Sequence, residues 1–311
     1  MNFKDQLRLN RTNYYKSIIL AKVFCYSAVF ILGVISNLLV LSIYWQKRKF
    51  NSATQYFFSN LAIADLLVCI FCMPVATILT FTGNDWIFGE LLCKLIPFIQ
   101  MLSIAASATS VLAITFERLY AIVYPLTFSK IFNRKRRKVM ISMTWLLSGI
   151  YAIPKLIISN VQTQGDYSTC QANWTDTSDR VYIAFGGVTL HALPVFIASS
   201  TYIYMVYKSN NSVHSEQKIC VNMKLHRKAM RTAVTVVIVQ VISWLPFYIV
   251  SITYSSIIFP PRNADETEDK LFFVARLFGY ANSCWNPLIY AMNSTNFRLK
   301  FLYIFRFKKK I

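Results

Sequence analysis

Acidic and amide side chains in the middle of long apolar stretches are the first residues here that can do chemistry. Asp65 lies inside the apolar run 61–67. An isolated acid in such a stretch costs about 2.5–3.5 kcal/mol even on a lenient membrane-insertion scale, so it needs partners. The available mid-stretch polar residues are Asn37, Ser107, Asn282, Ser283 and Asn286. Their oxygens suit a hard ion, so we expect a hydrated pocket that holds Na⁺ at Asp65. A purely structural polar cluster is the alternative.

A second group of polar residues lies where the same stretches end. Glu117 and Arg118 are adjacent at the end of the third stretch, and a solvated pair of this kind contributes about 0–1 kcal/mol. Tyr202 and Tyr290 lie near the corresponding ends of two other stretches, where each could accept Arg118 if the helices moved apart. The sequence therefore predicts either a switch or an ordinary surface ion pair.

Prolines inside the stretches predict where the helices bend. A proline removes one backbone hydrogen bond, and a neighbouring helix or water must then satisfy the freed carbonyl. Pro246 follows Trp244 by two residues and predicts a hinge at that point. The predicted switch comprises Glu117, Arg118, Tyr202, Trp244, Pro246, Asn286, Pro287 and Tyr290.

Seven apolar stretches must position these residues, and each is long enough to cross a bilayer of about 30 Å hydrocarbon thickness. The chain is 55% hydrophobic and only 15% charged, whereas a soluble domain carries about 25% charged residues. We therefore predict an all-α membrane protein. Residues 1–21 would form an N-terminal segment, 22–292 a seven-helix transmembrane domain, and 293–311 a short tail. The stretches are 22–46, 54–82, 91–124, 138–160, 181–208, 228–259 and 270–292.

The net charge of +20 is distributed unevenly between the two ends of these stretches. One face carries 22 of the 33 Lys and Arg residues against two acids, and the other carries 11 against ten acids. Because Lys and Arg mark the cytoplasmic face, we expect a multi-pass plasma-membrane protein with an extracellular N-terminus. Anionic membrane lipids then explain the basic charge, and no nucleic-acid partner is expected. Asn10 and Asn173 are glycosylation sequons on the extracellular face.

Two of the seven cysteines lie on this extracellular side, where surroundings are oxidising. Cys93 begins the third stretch and Cys170 lies in the second outer segment. A disulfide between them would tie that segment over the mouth of the bundle. A short hairpin is plausible within residues 161–180.

These motifs together resemble those of the rhodopsin-like (class A) G-protein-coupled receptors over about residues 25–305. Cys93 and Cys170 look like the family's disulfide pair. Residues 293–301 look like its amphipathic eighth helix, with an apolar face against the bilayer. The motifs that carry the resemblance, in chain order, are Leu61–Asp65, Glu117–Arg118, Trp145, Trp244–Pro246 and Asn286–Tyr290.

The resemblance implies a receptor that is not an enzyme and uses no cofactor apart from an allosteric Na⁺. An extracellular agonist would contract the outer cavity, the sixth helix would swing outward at Pro246, and a heterotrimeric G protein would enter. Arg118 would then turn towards Tyr202 and Tyr290. The agonist must bind the two states with different affinity for this to happen. Arrestin is a further expected partner.

The ligand class is indicated by Gln100, which occupies the position where amine receptors carry an aspartate. A neutral amide cannot supply that charge. With the preceding residues 86–97, Gln100 looks like neuropeptide receptors of the orexin, neuropeptide FF and neuropeptide Y kind. We expect a short amidated peptide whose last residues reach between Gln100 and Trp244, with outer acids such as Asp179 attracting basic residues. The predicted ligand site is Gln100, Lys155, Trp244, Tyr248, Ser251, Phe272, Arg276 and Tyr280.

Other functions remain open at this point. A class A receptor can bind a non-peptide ligand. A seven-span transporter or channel would show paired discontinuous helices or an inverted repeat, and the sequence shows neither. For an enzyme, the three histidines form no triad or metal-ligand spacing.

Overall fold

The computed structural model describes residues 3–45, 53–124, 127–128, 131–211, 217–254 and 266–293. Within these residues, Val68–Cys72 and Gly187–Ala192 each form a π-helical turn. Two strands form the hairpin β1 (Ser159–Gln164) and β2 (Tyr167–Ala172). The α-helices are α1 (Phe3–Trp45), α2 (Ala53–Leu67), α3 (Met73–Thr82), α4 (Gly89–Val123), α5 (Arg134–Ile158), α6 (Asp176–Gly186), α7 (Leu193–Asn211), α8 (Gln217–Tyr254) and α9 (Glu266–Asn293).

Six helical segments in the described part of the chain are long and apolar enough to cross a membrane. They are Asn13–Tyr44, Tyr56–Thr82, Gly89–Ala121, Lys135–Ile158, Asp176–Tyr207 and Met230–Tyr254. Helix α9 corresponds to the seventh predicted stretch and has 28 residues, but Arg276, Asn282, Ser283 and Asn286 make it more polar. It packs between α1 and α8, so it completes the bundle.

Helix α4 occupies the centre of the bundle and contacts α2, α5, α7 and α8. Hydrogen bonds join the helices where α2, α4 and α5 meet. Asn60 donates to Ser110 Oγ at 2.7 Å, and Trp145 Nε1 donates to Asn60 Oδ1 at 2.7 Å. Because lipid provides no hydrophobic drive for helix association, such close packing and interhelical hydrogen bonds hold a membrane bundle together.

Each π-helical turn ends two residues before a proline, Pro74 in the first case and Pro194 in the second. A proline lacks the N–H that an α-helix needs, and its ring clashes with the carbonyl four residues earlier. A π-helical turn is wider because it holds one residue more than an α-helical turn, and it moves this carbonyl away from the proline ring. The second predicted stretch therefore consists of α2 and α3, and the fifth of α6 and α7.

The predicted hairpin and disulfide are both present. The strands are antiparallel with Ser159 opposite Ala172, and Cys93 is bonded to Cys170 with their Cα atoms 5.5 Å apart. Two acids fix the hairpin further. Glu90 accepts the Val161 N–H at 2.9 Å, and Asp85 accepts the Ser168 N–H at 2.8 Å. The second outer segment is thus anchored at three points to the beginning of α4 and the residues before it.

Several helix boundaries differ from the predicted stretches. Helix α1 begins at Phe3 rather than near residue 22, and α8 begins at Gln217 rather than near 228. Apolarity marks only the part of a helix that lipid surrounds, whereas backbone hydrogen bonding continues into polar sequence outside it. The fourth stretch ends earlier than predicted because β1 begins at Ser159. The predicted eighth helix and tail lie outside the described residues.

Candidate functional site

A mid-membrane polar pocket surrounds Asp65, which is 3% exposed. Asn286 Nδ2 donates to Asp65 Oδ2 at 2.9 Å, and the Ser283 hydroxyl also hydrogen-bonds to this carboxylate. The structure therefore brings three of the five predicted sodium-pocket residues into contact. Ser107 and Asn282 are buried as well, but Ser107 Oγ has no hydrogen-bond partner among the described residues.

The donor atoms of this pocket fit a hard monovalent cation. Buried oxygens of Asn37, Ser107, Asn282 and Asn286 have no hydrogen-bond partner within the described part of the protein. Buried polar atoms of this kind are normally satisfied by protein, water or an ion. No group of three or more His, Cys, Asp or Glu side chains that could hold a metal occurs among the described residues. One carboxylate with neutral oxygens is a donor set for Na⁺ rather than for a transition metal.

The carbonyl freed by Pro287 has a protein partner on the first helix. Ser283 lies four residues before Pro287, so its carbonyl lacks the usual helical donor. Asn37 Nδ2 donates to this carbonyl at 2.8 Å and to Gly33 O at 2.9 Å. One amide group thus compensates the proline and ties α1 to α9 beside the polar pocket.

Trp244 lies against a glycine of α9. It is 3% exposed, and a Cβ at Gly279 would lie 2.8 Å from Trp244 Cζ3 and 2.9 Å from Cε3. The Phe247 ring meets the Trp244 ring edge-on at 5.5 Å. Any side chain at position 279 must therefore displace the indole above the pocket.

Replacing Gly279 by alanine is expected to lower the apparent free energy of unfolding by about 1–3 kcal/mol, the usual range for overpacking. The melting midpoint of the purified protein measures this change. Gly149→Ala is the matched control, since its Cβ meets nothing within 4 Å and alanine favours a helix. Equal midpoints for Gly279→Ala and the parent protein would contradict the packing argument.

Four of the predicted switch residues lie at the other end of the bundle, namely Glu117, Arg118, Tyr202 and Tyr290. Arg118 Nε is 3.2 Å from Glu117 Oε2, and the two residues are 8% and 1% exposed. This ion pair is therefore buried rather than solvated. Tyr290 is buried with its ring 4.1 Å from Phe58, and Tyr202 is half-buried against the same apolar cluster.

The outer half of the bundle buries several polar atoms that no described residue satisfies. Gln100 is 2% exposed and Ser251 1%, and neither Gln100 Nε2 nor Ser251 Oγ has a hydrogen-bond partner there. An unsatisfied buried group costs about 1–3 kcal/mol unless water or a bound group satisfies it. The other predicted ligand residues divide among apolar clusters: Trp244 and Tyr248 in one, Tyr280 in a second and Phe272 in a third.

Two predicted ligand residues have partners within the protein. Lys155 is fully buried, with Nζ 2.9 Å from Asp179 Oδ1 and close to the rings of Trp174 and Tyr182. The expectation that Asp179 is a surface acid attracting a ligand is wrong, because it is 5% exposed and bound to Lys155. Arg276, also buried, donates a hydrogen bond to Tyr26.

Sequence reasoning did not identify the ion pair that joins α1 to α9. Lys22 is buried, binds Asp269 and lies 5.4 Å from the centre of the Phe273 ring. A signal was available in both ion pairs, since a lysine within an apolar stretch requires an acid partner. Spacing along the chain did not identify that partner.

Of the two predicted glycosylation sites, Asn173 follows β2 and is exposed. Its backbone N–H donates to Ile158 O at 2.8 Å, which fixes the sequon next to the end of α5. The side chain of Asn10 lies outside the described residues.

Comparison with known proteins agrees with this architecture. The pattern of the family described as 7 transmembrane receptor (rhodopsin family) matches residues 36–290. Galanin receptor 2a of Danio rerio is 30% identical over 98% of this chain and 83% of its own length. The QRFP-like peptide receptor of Branchiostoma floridae is 27% identical over 90% and 76%. Apelin receptor A of Xenopus laevis is 29% identical over 91% and 81%. The family match covers most of the bundle described above, and this chain therefore belongs to the rhodopsin family of seven-transmembrane receptors.

Proposed function

We propose that this protein is a receptor for a short extracellular peptide and activates a heterotrimeric G protein at the inner face. The observation that carries this proposal is the set of buried, unsatisfied polar groups at the outer end, beginning with Gln100 and Ser251. The relatives support a peptide ligand, since one is named as a peptide receptor and others as galanin and apelin receptors. A non-peptide ligand is the alternative that the experiment below separates.

The proposed mechanism uses the contacts that hold the bundle together. A peptide that reaches Gln100 would press on Trp244, which already lies against Gly279. Helix α8 would bend at Pro246, and its inner end would move away from α4. Arg118 would then exchange Glu117 for the hydroxyls of Tyr202 and Tyr290. The peptide shifts the population only if it binds the open state more tightly than the closed one.

We further propose that Na⁺ regulates this equilibrium from the pocket around Asp65. Asp65, Ser107, Asn282, Ser283 and Asn286 would hold it through oxygen atoms. When bound, the ion supplies the positive charge that an ionised Asp65 needs in a membrane interior. The contact between Asp65 on α2 and Asn286 on α9 supports this proposal, because an ion at Asp65 would act on both helices.

The remaining features concern the surroundings of the receptor. The charge asymmetry supports an extracellular N-terminus at the plasma membrane, with glycans at Asn10 and Asn173. Anionic lipids would neutralise the basic inner segments. Arrestin would compete with the G protein for the opening near Arg118.

The decisive experiment measures guanine-nucleotide exchange on purified Gα subunits by the receptor in lipid nanodiscs. A library of amidated peptides is screened, together with a library of small-molecule transmitters. We expect at least one amidated peptide to accelerate exchange, and Arg118→Ala to abolish that acceleration while the protein stays folded. Activity with small molecules alone would replace the peptide ligand, and no exchange with any Gα class would refute the proposed function.

Gln100→Ala is expected to raise the half-maximal concentration of the peptide found in this screen by about tenfold or more. The reason is that a buried ligand group would lose its hydrogen-bond partner, at a cost of about 1–3 kcal/mol. The dose–response curve at matched surface expression measures the effect. Gln164→Ala is the control, because Gln164 lies exposed at the end of β1. An unchanged curve for Gln100→Ala would remove this residue from the site.

A further inference from the structure

Three polar side chains meet between α5, the π-helical turn Gly187–Ala192 and α8. They are Tyr151, His191 and Tyr248, and the rings of His191 and Tyr248 lie edge to face at 5.0 Å. Gly186 lies against the hydroxyls of both tyrosines. A Cβ there would lie 3.4 Å from the Tyr248 hydroxyl and would overlap that of Tyr151. We call Tyr151, Gly186, His191 and Tyr248 the tyrosine–histidine cluster.

Two members of the tyrosine–histidine cluster are buried with unsatisfied polar atoms. His191 is 5% exposed and Tyr248 8%. Within the described part of the chain, neither imidazole nitrogen of His191 has a hydrogen-bond partner. The Tyr248 hydroxyl has none there either. Each unsatisfied group costs about 1–3 kcal/mol. The helix packing does not need these polar atoms, which points to a partner outside the protein.

The local sequence explains how the cluster forms. Gly186 and Gly187 have no side chains, so the Tyr151 hydroxyl and the Tyr248 ring can approach the backbone of the fifth crossing. The π-helical turn begins at Gly187 and adds one residue there, and His191, the residue before its last, is buried. Turns of this kind occur frequently at functional sites.

The electrostatic surroundings of the cluster are neutral. The buried charged residues at the outer ends of α5 and α6 are Lys155 and Asp179, and they form an ion pair at 2.9 Å. Lys155 also lies 5.1 Å from the centre of the Tyr182 ring, whose hydroxyl donates to Tyr151 O at 2.8 Å. Among the described residues, these two charges are already paired with each other, so burying a cationic or anionic ligand group here would be unfavourable.

A neutral carboxamide matches the hydrogen-bonding capacity of the cluster. It offers two N–H donors and one acceptor oxygen, while a phenol and a neutral imidazole can each donate and accept. The surrounding rings are apolar: Tyr151 stacks on Tyr182 at 5.1 Å, and Ile183 and Leu190 pack in the same region. We propose that the tyrosine–histidine cluster is a binding subsite for a carboxamide carried by an aromatic residue, namely the amidated C-terminus of the peptide. This rests on the proposed peptide-receptor function and names the chemistry of its ligand.

The test uses two small probes, N-acetyl-phenylalaninamide and N-acetyl-phenylalanine, with the purified full-length receptor in nanodiscs. Saturation-transfer NMR measures their dissociation constants without any G protein. We expect millimolar binding of the amide and binding of the acid weaker by about tenfold, because a buried carboxylate would remain unpaired. Equal binding of the two probes, or binding of neither, would overturn the proposal.

Variants locate the amide probe within the bundle. Tyr248→Phe removes one hydroxyl, and His191→Leu removes the imidazole. Each is expected to weaken binding of the amide about fivefold or more, as expected for one lost hydrogen bond to a buried group. Tyr254→Phe is the control on the same helix, where Tyr254 packs against Phe272 instead. Unchanged binding in both cluster variants would overturn the proposal.

A second pair of variants covers the case in which His191→Leu does not fold. Gly186→Ala must displace Tyr151, whereas Gly187→Ala places its Cβ at an ordinary 3.6 Å from the Tyr248 ring. We expect only Gly186→Ala to weaken binding of the amide probe, and equal affinities would contradict the subsite. These outcomes are separate from the nucleotide-exchange experiment, so the subsite can fail while the receptor function stands, and the reverse.

Discussion

Replacing Lys155 by methionine is expected to lower the apparent free energy of unfolding by about 3–5 kcal/mol. Asp179 would keep its buried charge without the lysine that now lies 2.9 Å away. The side chains are 0% and 7% exposed, so water cannot replace the missing cation. The melting midpoint of the purified receptor measures the loss.

The double variant Lys155→Met with Asp179→Asn distinguishes a lost charge partner from lost packing. Because neither charge remains, we expect most of the stability to return. Lys270→Met is the control, since the pair of Lys270 with Glu266 is about half exposed and such pairs contribute about 0–1 kcal/mol. If Lys155→Met changed the melting midpoint no more than Lys270→Met does, the buried pair would have no structural importance.

Asn37→Ala is expected to destabilise the protein by about 1–3 kcal/mol, because the Ser283 carbonyl would lose its donor inside the membrane. The effect should depend on Pro287. In a Pro287→Ala background the alanine N–H can donate to the Ser283 carbonyl. Asn37→Ala should therefore destabilise this background less than it destabilises the parent protein. Melting midpoints of the two single variants and the double variant measure this coupling.

We expect a coupling of about 1–2 kcal/mol between the two positions, since they share one hydrogen-bond acceptor. Strictly additive midpoints would show that Asn37 acts elsewhere, for example through its bond to Gly33 O. Ser42→Ala provides a control on the same helix, because the Ser42 hydroxyl bonds only to Leu39 O among the described contacts.

The sequence predicted the bundle, the Cys93–Cys170 disulfide and the short hairpin, and the structure confirms all three. Apolar length sets the membrane crossings, and the two cysteines at the same end of the bundle can pair with each other. The sequence also indicated that Pro287 leaves a carbonyl in need of a donor. It could not identify Asn37 as that donor, because this depends on how α1 rotates against α9.

The outer ion pairs show why part of the site escaped sequence reasoning. Lys155 and Asp179 looked like independent contributors to ligand binding, because they lie on different helices with a hairpin between them. Only the folded structure, in which the end of α5 lies beside the start of α6, brings Lys155 and Asp179 together. The contact of His191 with Tyr248 was equally hard to predict, because it depends on a π-helical turn that no simple periodicity predicts.

The two π-helical turns also govern how positions in this chain should be matched to those of other proteins. Each holds one residue more than an uninterrupted α-helix would, and one residue corresponds to about 100° of rotation about the helix axis. Counting outward from Asp65 or Leu193 along an ideal helix would therefore assign lipid-facing residues to the interior. An alignment of the outer halves of these two crossings needs a gap within Val68–Cys72 or Gly187–Ala192 wherever the other protein lacks the wide turn.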